Sequence, residues 1–322
     1  MPSTKPEHWP WFGDDDILAQ RPAKPERDAW QPLGCFVELE YSHRRRLEPT
    51  ATVLLTSREC PFRCLMCDLW QYTTDAPTPE GAIPEQIRRA LGRLDPASQI
   101  KLYNAGNFFD ARAIPHADWP AIADLTQSFA TVIVENHPRL VNDACRRFAR
   151  LLSGQLEIAL GLETVHPQVL ARLNKRMTLD DFCRACDRLR AWGIVVRAFI
   201  LLCPPFLDEQ AGWEWTCRSI EFAFAQGVDC CVLIPTRAGN GIMEVLARTG
   251  HYRPPSLAAL EEALAWGLAL RRGRVLADLW DLERFSRCRH CFGLRRDRLL
   301  AMNRHQSWVA PVPCPRDPAC RG

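Results

Sequence analysis

TVLLTSRECPFRCLMCDLW, residues 52–70, joins a short apolar run to a loop carrying Cys60, Cys64 and Cys67. The apolar run reads as a β-strand, and the loop that follows has the spacing C-x3-C-x2-C. Three thiols are one too few for a closed tetrahedral metal site. Cysteine thiolates are the usual ligands of iron–sulfur clusters, and three can hold three irons of a [4Fe–4S] cluster. The fourth iron then keeps an open position, which separates a reactive metal site from a structural one. Two plainer readings compete: a structural zinc or cluster site with a distant fourth ligand, and chance in a cysteine-rich chain. The position of the loop, directly after a strand and beside Met66, Trp70 and Tyr72, favours the open cluster.

Outward from this loop, β-rich runs alternate with helical patterns, as βα units on a parallel sheet do. Strands are expected at 52–56, 100–104, 131–135, 156–162, 194–202, 229–235 and 274–279. Helices are expected at 84–93, 140–153, 178–192, 209–226 and 256–271. In one of them Thr178 stands as N-cap with Asp181 three residues on. Leu179, Phe182, Cys186, Leu189 and Trp192 then share a face, and Gly193 stops the helix. Six or seven such units predict an α/β fold, a partial (β/α)6 TIM-type barrel. A full barrel or a doubly wound sheet is the alternative. In each case chemistry belongs at the C-terminal ends of the strands. Residues 1–48 read as an irregular leader with one strand at 36–41, 49–280 as the barrel, and 281–322 as a small Cys-rich C-terminal extension.

The chain has 322 residues, enough for one large α/β barrel or for two ordinary domains. Its net charge of +3 is too small to point to nucleic acid by itself. Fifteen cysteines, an odd number in a long chain, argue against a secreted disulfide framework. The N-terminus lacks the apolar core of a signal peptide, and no apolar stretch approaches the roughly 20 residues of a membrane span. The expectation is a cytoplasmic protein with reduced thiols and no membrane partner.

CPFRCLMC, residues 60–67, resembles the signature of radical S-adenosylmethionine (SAM) enzymes. The resemblance implies a [4Fe–4S] cluster on Cys60, Cys64 and Cys67 whose open iron is chelated by SAM. One electron then cleaves SAM to methionine and a 5′-deoxyadenosyl radical, which abstracts hydrogen from a substrate. It implies a flavodoxin or ferredoxin as electron donor. It also assigns SAM contacts at successive strand ends. Asn104, Ala105, Gly106 and Asn107 occupy the glycine-rich turn, although the usual Gly-Gly pair is absent, and Glu135 lies at the barrel mouth. Glu163 approaches the ribose or methionyl group, Lys175 faces the SAM carboxylate, and Pro204 and Met66 line the adenine. Arg197 is a charge in an otherwise apolar strand. Such a charge needs a partner, so it is either a substrate contact in the barrel interior or half of a buried ion pair.

The series KLYNAGNFFDARAIP, VIVENHPRLV, LEIALGLET and LLCPPFLDEQ is similar to the archaeosine-biosynthesis radical SAM subunits and their bacterial relatives, within the elongator/MiaB/NifB-type group. That family implies lyase chemistry on a lysine-adducted 7-deazaguanine in tRNA. A small metabolite or natural-product intermediate is the alternative substrate. A non-enzymatic metal-dependent RNA-binding or scaffold protein is the alternative class.

The extension carries Cys288, Cys291, Cys314 and Cys320. Two pairs at this separation resemble a zinc ribbon, although five residues inside the second pair are loose for zinc. Structural zinc ranks first, an auxiliary iron–sulfur cluster second and free thiols third, with His290 and His305 as substitute ligands. Cys183 and Cys186 share the x2 spacing but belong to a helix core. Arg295, Arg296, Arg298 and Arg304 make the tail basic, fitting either a phosphate-bearing substrate or a solvated helix face.

Overall fold

The alternating pattern folds into one eight-stranded sheet whose strands lie in chain order, in a computed structural model that describes residues 9–314 and 316. The strands are β1 (Gly34–Tyr41), β2 (Leu47–Leu54), β3 (Gln99–Tyr103), β4 (Thr131–Asn136), β5 (Gln155–Glu163), β6 (Val195–Leu202), β7 (Cys230–Pro235) and β8 (Arg274–Ala277). β1 pairs antiparallel with β2, and every later neighbour is parallel. This is a half-barrel of the predicted kind, extended by a hairpin. The hairpin draws the expected strand 36–41 out to Gly34 and starts β2 at Leu47.

The helices are α1 (Asp14–Ala19), α2 (Ala82–Leu91), α3 (Trp119–Leu125), α4 (Asp143–Ala149), α5 (Pro167–Arg172), α6 (Leu179–Ala191), α7 (Glu209–Ala225), α8 (Ile242–Arg248), α9 (Leu257–Ala269) and α10 (Arg289–His305). α6 begins as its sequence dictates. Asp181 N donates to Thr178 Oγ1 at 3.1 Å, and Thr178 N donates back to the Asp181 carboxylate at 2.9 Å. Phe182, Cys186 and Leu189 are fully buried on its inner face.

Strand period sorts the sheet's two faces. Val53, Leu102, Val134, Ile158, Ala198, Leu233 and Val275 enter the main core under the helices. The opposite face lines the barrel. Near the N-terminal ends of the strands it is charged. Arg197 Nη2 lies 2.7 Å from Glu40 and its Nε 2.7 Å from Glu157. Lys101 meets Glu40 at 2.6 Å, and Arg274 bridges Glu157 at 3.0 Å and Asp229 at 2.7 Å. Burial pushes the Glu40 carboxyl up, but Arg197 and Lys101 outweigh it and hold the group well below the usual carboxylate range. Arg197 is therefore the buried ion pair of the two alternatives. Its guanidinium is occupied by two carboxylates and is 2% exposed, which removes it from the candidate substrate contacts.

The extension contains an unexpected 17-residue helix, α10, packed against β1, β8 and α9. Its Asn303 exchanges hydrogen bonds with the main chain of Ala277, and Gln306 just beyond it does the same with Val275. These side chains cover the open edge of β8, where unpaired backbone groups would otherwise recruit another strand. Arg295 and Arg298 are buried against Glu261, whereas Arg296 is exposed. Two of the four tail arginines are thus neutralised inside the fold.

Candidate active site

The C-terminal ends of β2 to β7 converge on the cysteine loop. Thr74 N donates to Ser57 O at 2.8 Å and Glu59 N to Thr74 O at 3.0 Å, which fixes the loop's base. Leu65 N donates to Leu173 O at 2.8 Å, and Asn174 Nδ2 to Arg63 O at 2.8 Å. Asn240 Nδ2 donates to Leu65 O at 2.7 Å and to Cys67 O at 3.1 Å. Phe62 stacks on the His137 ring at a centroid distance of 3.8 Å. His137 Nδ1 accepts from Arg139 N at 3.1 Å, so Nε2 carries the proton it donates to Lys175 O at 3.0 Å. Burial and the Lys175 charge push His137 down to about 3, so it stays neutral and acts as a clamp.

On this support, Cys64 is buried and Cys60 and Cys67 are half-buried. Asn107 Nδ2 donates to Cys60 Sγ at 3.0 Å. The three sulfurs do not all lie within 4.8 Å of one another, a wider spread than one metal ion demands. Burial pushes the Cys60 thiol up and the Cys64 thiol up to about 12, opposed at both by the Lys175 ammonium. Such thiols ionise when a metal binds them.

Around the loop, Glu163 and Lys175 form a buried pair at 2.7 Å. A Cβ on Gly161 would stand 2.2 Å from Glu163 Oε1 and 2.5 Å from Lys175 Nζ, so glycine makes room for the pair. Glu135 accepts from Asn104 N at 3.2 Å, and burial pushes its carboxyl up to about 7 despite the main-chain donors of Asn104 and Ala105. Asn104 Oδ1 and both polar side-chain atoms of Asn136 are buried without a partner among the described residues. Buried polar atoms require partners, and a polar ligand would provide them.

The other predicted positions join the same region. Ala105 and Gly106 are half-buried in the turn after β3, with Gly106 facing the Cys60 side chain. Pro204 is buried after β6, and Met66 packs with Leu201 and Phe206. Ala105, Glu163, Asn174, Arg176, Cys203 and Phe206 all have positive φ, six of the ten such non-glycine residues among those described. Strained backbone concentrated at one end of the barrel is a mark of a functional site.

Sequence reasoning missed His137, Asn174, Asn240 and Gly161. His137 and Gly161 lie inside the quoted VIVENHP and ALGLET segments, so their place at a strand end was the available signal. Asn240 had only the turn-like GNG, residues 239–241. In the tail, Cys288, Cys291 and Cys314 gather with their sulfurs within 4.8 Å of one another. Cys320 lies outside the described residues. Cys186 is buried in the core of α6 and Cys183 is half-buried beside it.

The donor chemistry fits a [4Fe–4S] cluster: three thiols on one loop, a hydrogen bond to one sulfur, and a lysine charge beside two of them. A half-barrel with this loop after its first parallel strand defines an enzyme of the radical SAM type. Residues 54–212 match the Radical SAM superfamily, a family that implies a [4Fe–4S] cluster and SAM.

Among curated proteins, the chain is similar to archaeosine synthase subunit beta of Methanosarcina acetivorans, 27% identical over 67% of this chain and 66% of the relative. The subunit of the same name from Thermococcus kodakarensis is 27% identical over 67% of this chain and 69% of the relative. The chain thus spans about two thirds of their length. Among solved structures, archaeal Elp3 from Methanocaldococcus infernus aligns with a TM-score of 0.48 at 16% identity, covering 61% of this chain and 51% of that one. No described helix is long and apolar enough to cross a membrane.

Proposed function

We propose that the protein abstracts hydrogen from a modified base of tRNA, of the 7-deazaguanine type, using SAM bound at the mouth of the half-barrel. The observation that carries the SAM site is the convergence of Cys60, Cys64 and Cys67 with the Glu163–Lys175 pair at the strand ends. When bound on the three cysteines, the cluster supplies the electron that cleaves SAM. The chain's own residues bind and orient SAM. Lys175 offers a positive charge for the carboxylate, partly balanced by Glu163. Glu135 and the Asn104–Ala105–Gly106–Asn107 turn offer acceptors for the amino group. Met66 and Pro204 flank the adenine. Leu201, Phe206 and Met66 form an apolar wall that keeps water from a radical.

Two observations support the tRNA reading. The relatives of known name are archaeosine synthase subunits. Arginines also stand in the loops after most parallel strands: Arg58, Arg112, Arg139, Arg176, Arg237 and Arg284. Arg112, Arg176 and Arg237 are paired with Asp110, Asp14 and Asp278, and Arg284 acts on Asp68, whereas Arg139 donates to the carbonyl of Arg176 at 3.0 Å, a bond that leaves its charge unneutralised. Positive charge around a mouth suits the phosphates of RNA, and a base within folded RNA would be flipped out to enter. A flavodoxin or ferredoxin as reductant and a cytoplasmic location complete the reading.

The test is anaerobic reconstitution followed by reduction in the presence of SAM and tRNA. About four irons at the loop, 5′-deoxyadenosine, and a changed nucleoside in digested tRNA are expected. Cys64→Ala abolishes all three. SAM cleavage that responds to small metabolites but leaves every tRNA nucleoside unchanged would overturn the tRNA reading.

A further inference from the structure

The two cysteine trios differ in spread, and that difference identifies what the second one binds. Sulfurs of Cys288, Cys291 and Cys314 lie within 4.8 Å of one another, and Cys288 Sγ is 3.8 Å from Cys314 Sγ. Zinc bound by thiolates at about 2.3 Å in a tetrahedron sets its sulfurs about 3.8 Å apart. A cubane cluster places each thiolate on a different iron and holds the sulfurs well beyond that separation. We propose that Cys288, Cys291 and Cys314 bind a single tetrahedral zinc ion, with one further ligand completing the site.

The surroundings are built for such an ion. Cys288 is the N-cap of α10 and Cys291 lies in its first turn, so the helix dipole favours thiolate there. Ser286 Oγ donates to Cys288 O at 2.9 Å, fixing the approach to the helix. Arg295, one turn beyond Cys291, is anchored by Glu261 at 2.6 Å. Its guanidinium, paired with Glu261, also interacts with Cys291, as outer partners of metal ligands do. Arg298 Nε donates to Val309 O at 2.9 Å and Ala310 O at 3.0 Å, which lays the tail back along α10 and delivers Cys314. His305, sixteen residues into a 17-residue helix, is roughly 24 Å away along its axis and is eliminated as a ligand. On binding, the three thiols lose three protons and no redox change is needed.

The ion would be a staple rather than a reaction centre. It joins the tail to the start of α10, directly after the short turn Leu282–Phe285. In that turn Arg284 holds the Ala238 carbonyl at 3.0 Å, and Arg237 covers the Phe285 ring at 5.9 Å. The charges of both arginines act on Asp68, the neighbour of Cys67. The zinc therefore fixes a segment that flanks the catalytic cysteine loop.

Metal content of the full-length protein, purified and kept without oxygen, tests the assignment. About one zinc per chain is expected beside the iron of the first site. Cys314→Ala and Cys291→Ala should each lose that zinc and keep the iron, while Cys64→Ala should do the reverse. Should the tail variants fail to fold, cobalt exchanged into the unmodified protein should show thiolate charge transfer and tetrahedral visible bands. Three results would overturn the proposal: iron near eight per chain that falls by about four in Cys314→Ala, a Cys288–Cys314 disulfide in metal-free protein, or cobalt spectra without thiolate character. None of these readings depends on SAM cleavage, so they stand apart from the proposed activity.

Discussion

Lys175 Nζ lies 2.7 Å from Glu163 Oε1 with both side chains buried, and Gly161 on the same strand leaves the space they fill. The strand register shifts between Gly161 and Glu163, and Glu163 itself has φ 65°. One small residue, one bulge and one ion pair thus make a single local unit.

Gly161→Ala tests that unit. The new methyl group would have to push the pair aside, at a cost of about 1–3 kcal/mol in folding stability. SAM affinity should fall at least tenfold while the fold persists. Equilibrium binding of SAM alongside a denaturant titration measures both effects. An unchanged SAM affinity would show that the pair does not face the cofactor.

Arg197→Met should act on stability alone. Removing one partner of a buried network leaves Glu40 and Glu157 uncompensated, at a cost of about 3–5 kcal/mol. SAM binding by the protein that remains folded should match the parent. Replacing Arg197 and Glu157 together, by Met and Gln, should cost less than the sum of the separate changes. A selective loss of substrate turnover at full stability would restore Arg197 as a substrate contact.

Asn240→Ala removes the amide that holds the carbonyls of Leu65 and Cys67 and also accepts from Met243 N at 3.0 Å. The loss of buried hydrogen bonds should cost about 1–3 kcal/mol. Its more specific effect should be a looser cluster, seen as faster iron release to a chelator. Iron release at the parent rate would count against this role.

Glu135 gives a pH signature. Its folded value is raised from 4.5 to about 7, so the folded state holds the proton more tightly than the unfolded chain. The resulting stabilisation is complete below about pH 4.5 and is lost as pH rises through about 7. Glu135→Gln should flatten that fall, by on the order of 1–2 kcal/mol given the carboxyl's partial solvent access. Denaturation midpoints of parent and variant between pH 5 and pH 8 make the comparison. Parallel curves would refute it.

Much of the fold was legible in the sequence. Each parallel strand was located to within a few residues except β2, expected to begin at residue 52 and found to begin at Leu47, inside the stretch read as leader. The first residues of β2 include Glu48 and Pro49 and pair with β1 through a hairpin, so apolar run length was no guide. Helix α10 escaped notice because its buried face includes Arg295 and Arg298, which are polar by composition and become core only through Glu261. The cysteine loop was legible because thiols at fixed spacing form a local signal. His137, Asn174 and Asn240 were not, because each supports the loop from a distant part of the chain.

The sequence alone determined the βα rhythm and the trio of Cys60, Cys64 and Cys67. Those features are local: strand period, helix caps and ligands packed into one short loop. Tertiary structure decided everything that depends on two distant segments meeting. It spent Arg197 on Glu40 and Glu157, buried two tail arginines on Glu261, and brought Cys314 to within 3.8 Å of Cys288. A buried charge takes whichever partner the fold delivers, and a metal site exists only where its ligands converge. Spacing along the chain does not record either outcome.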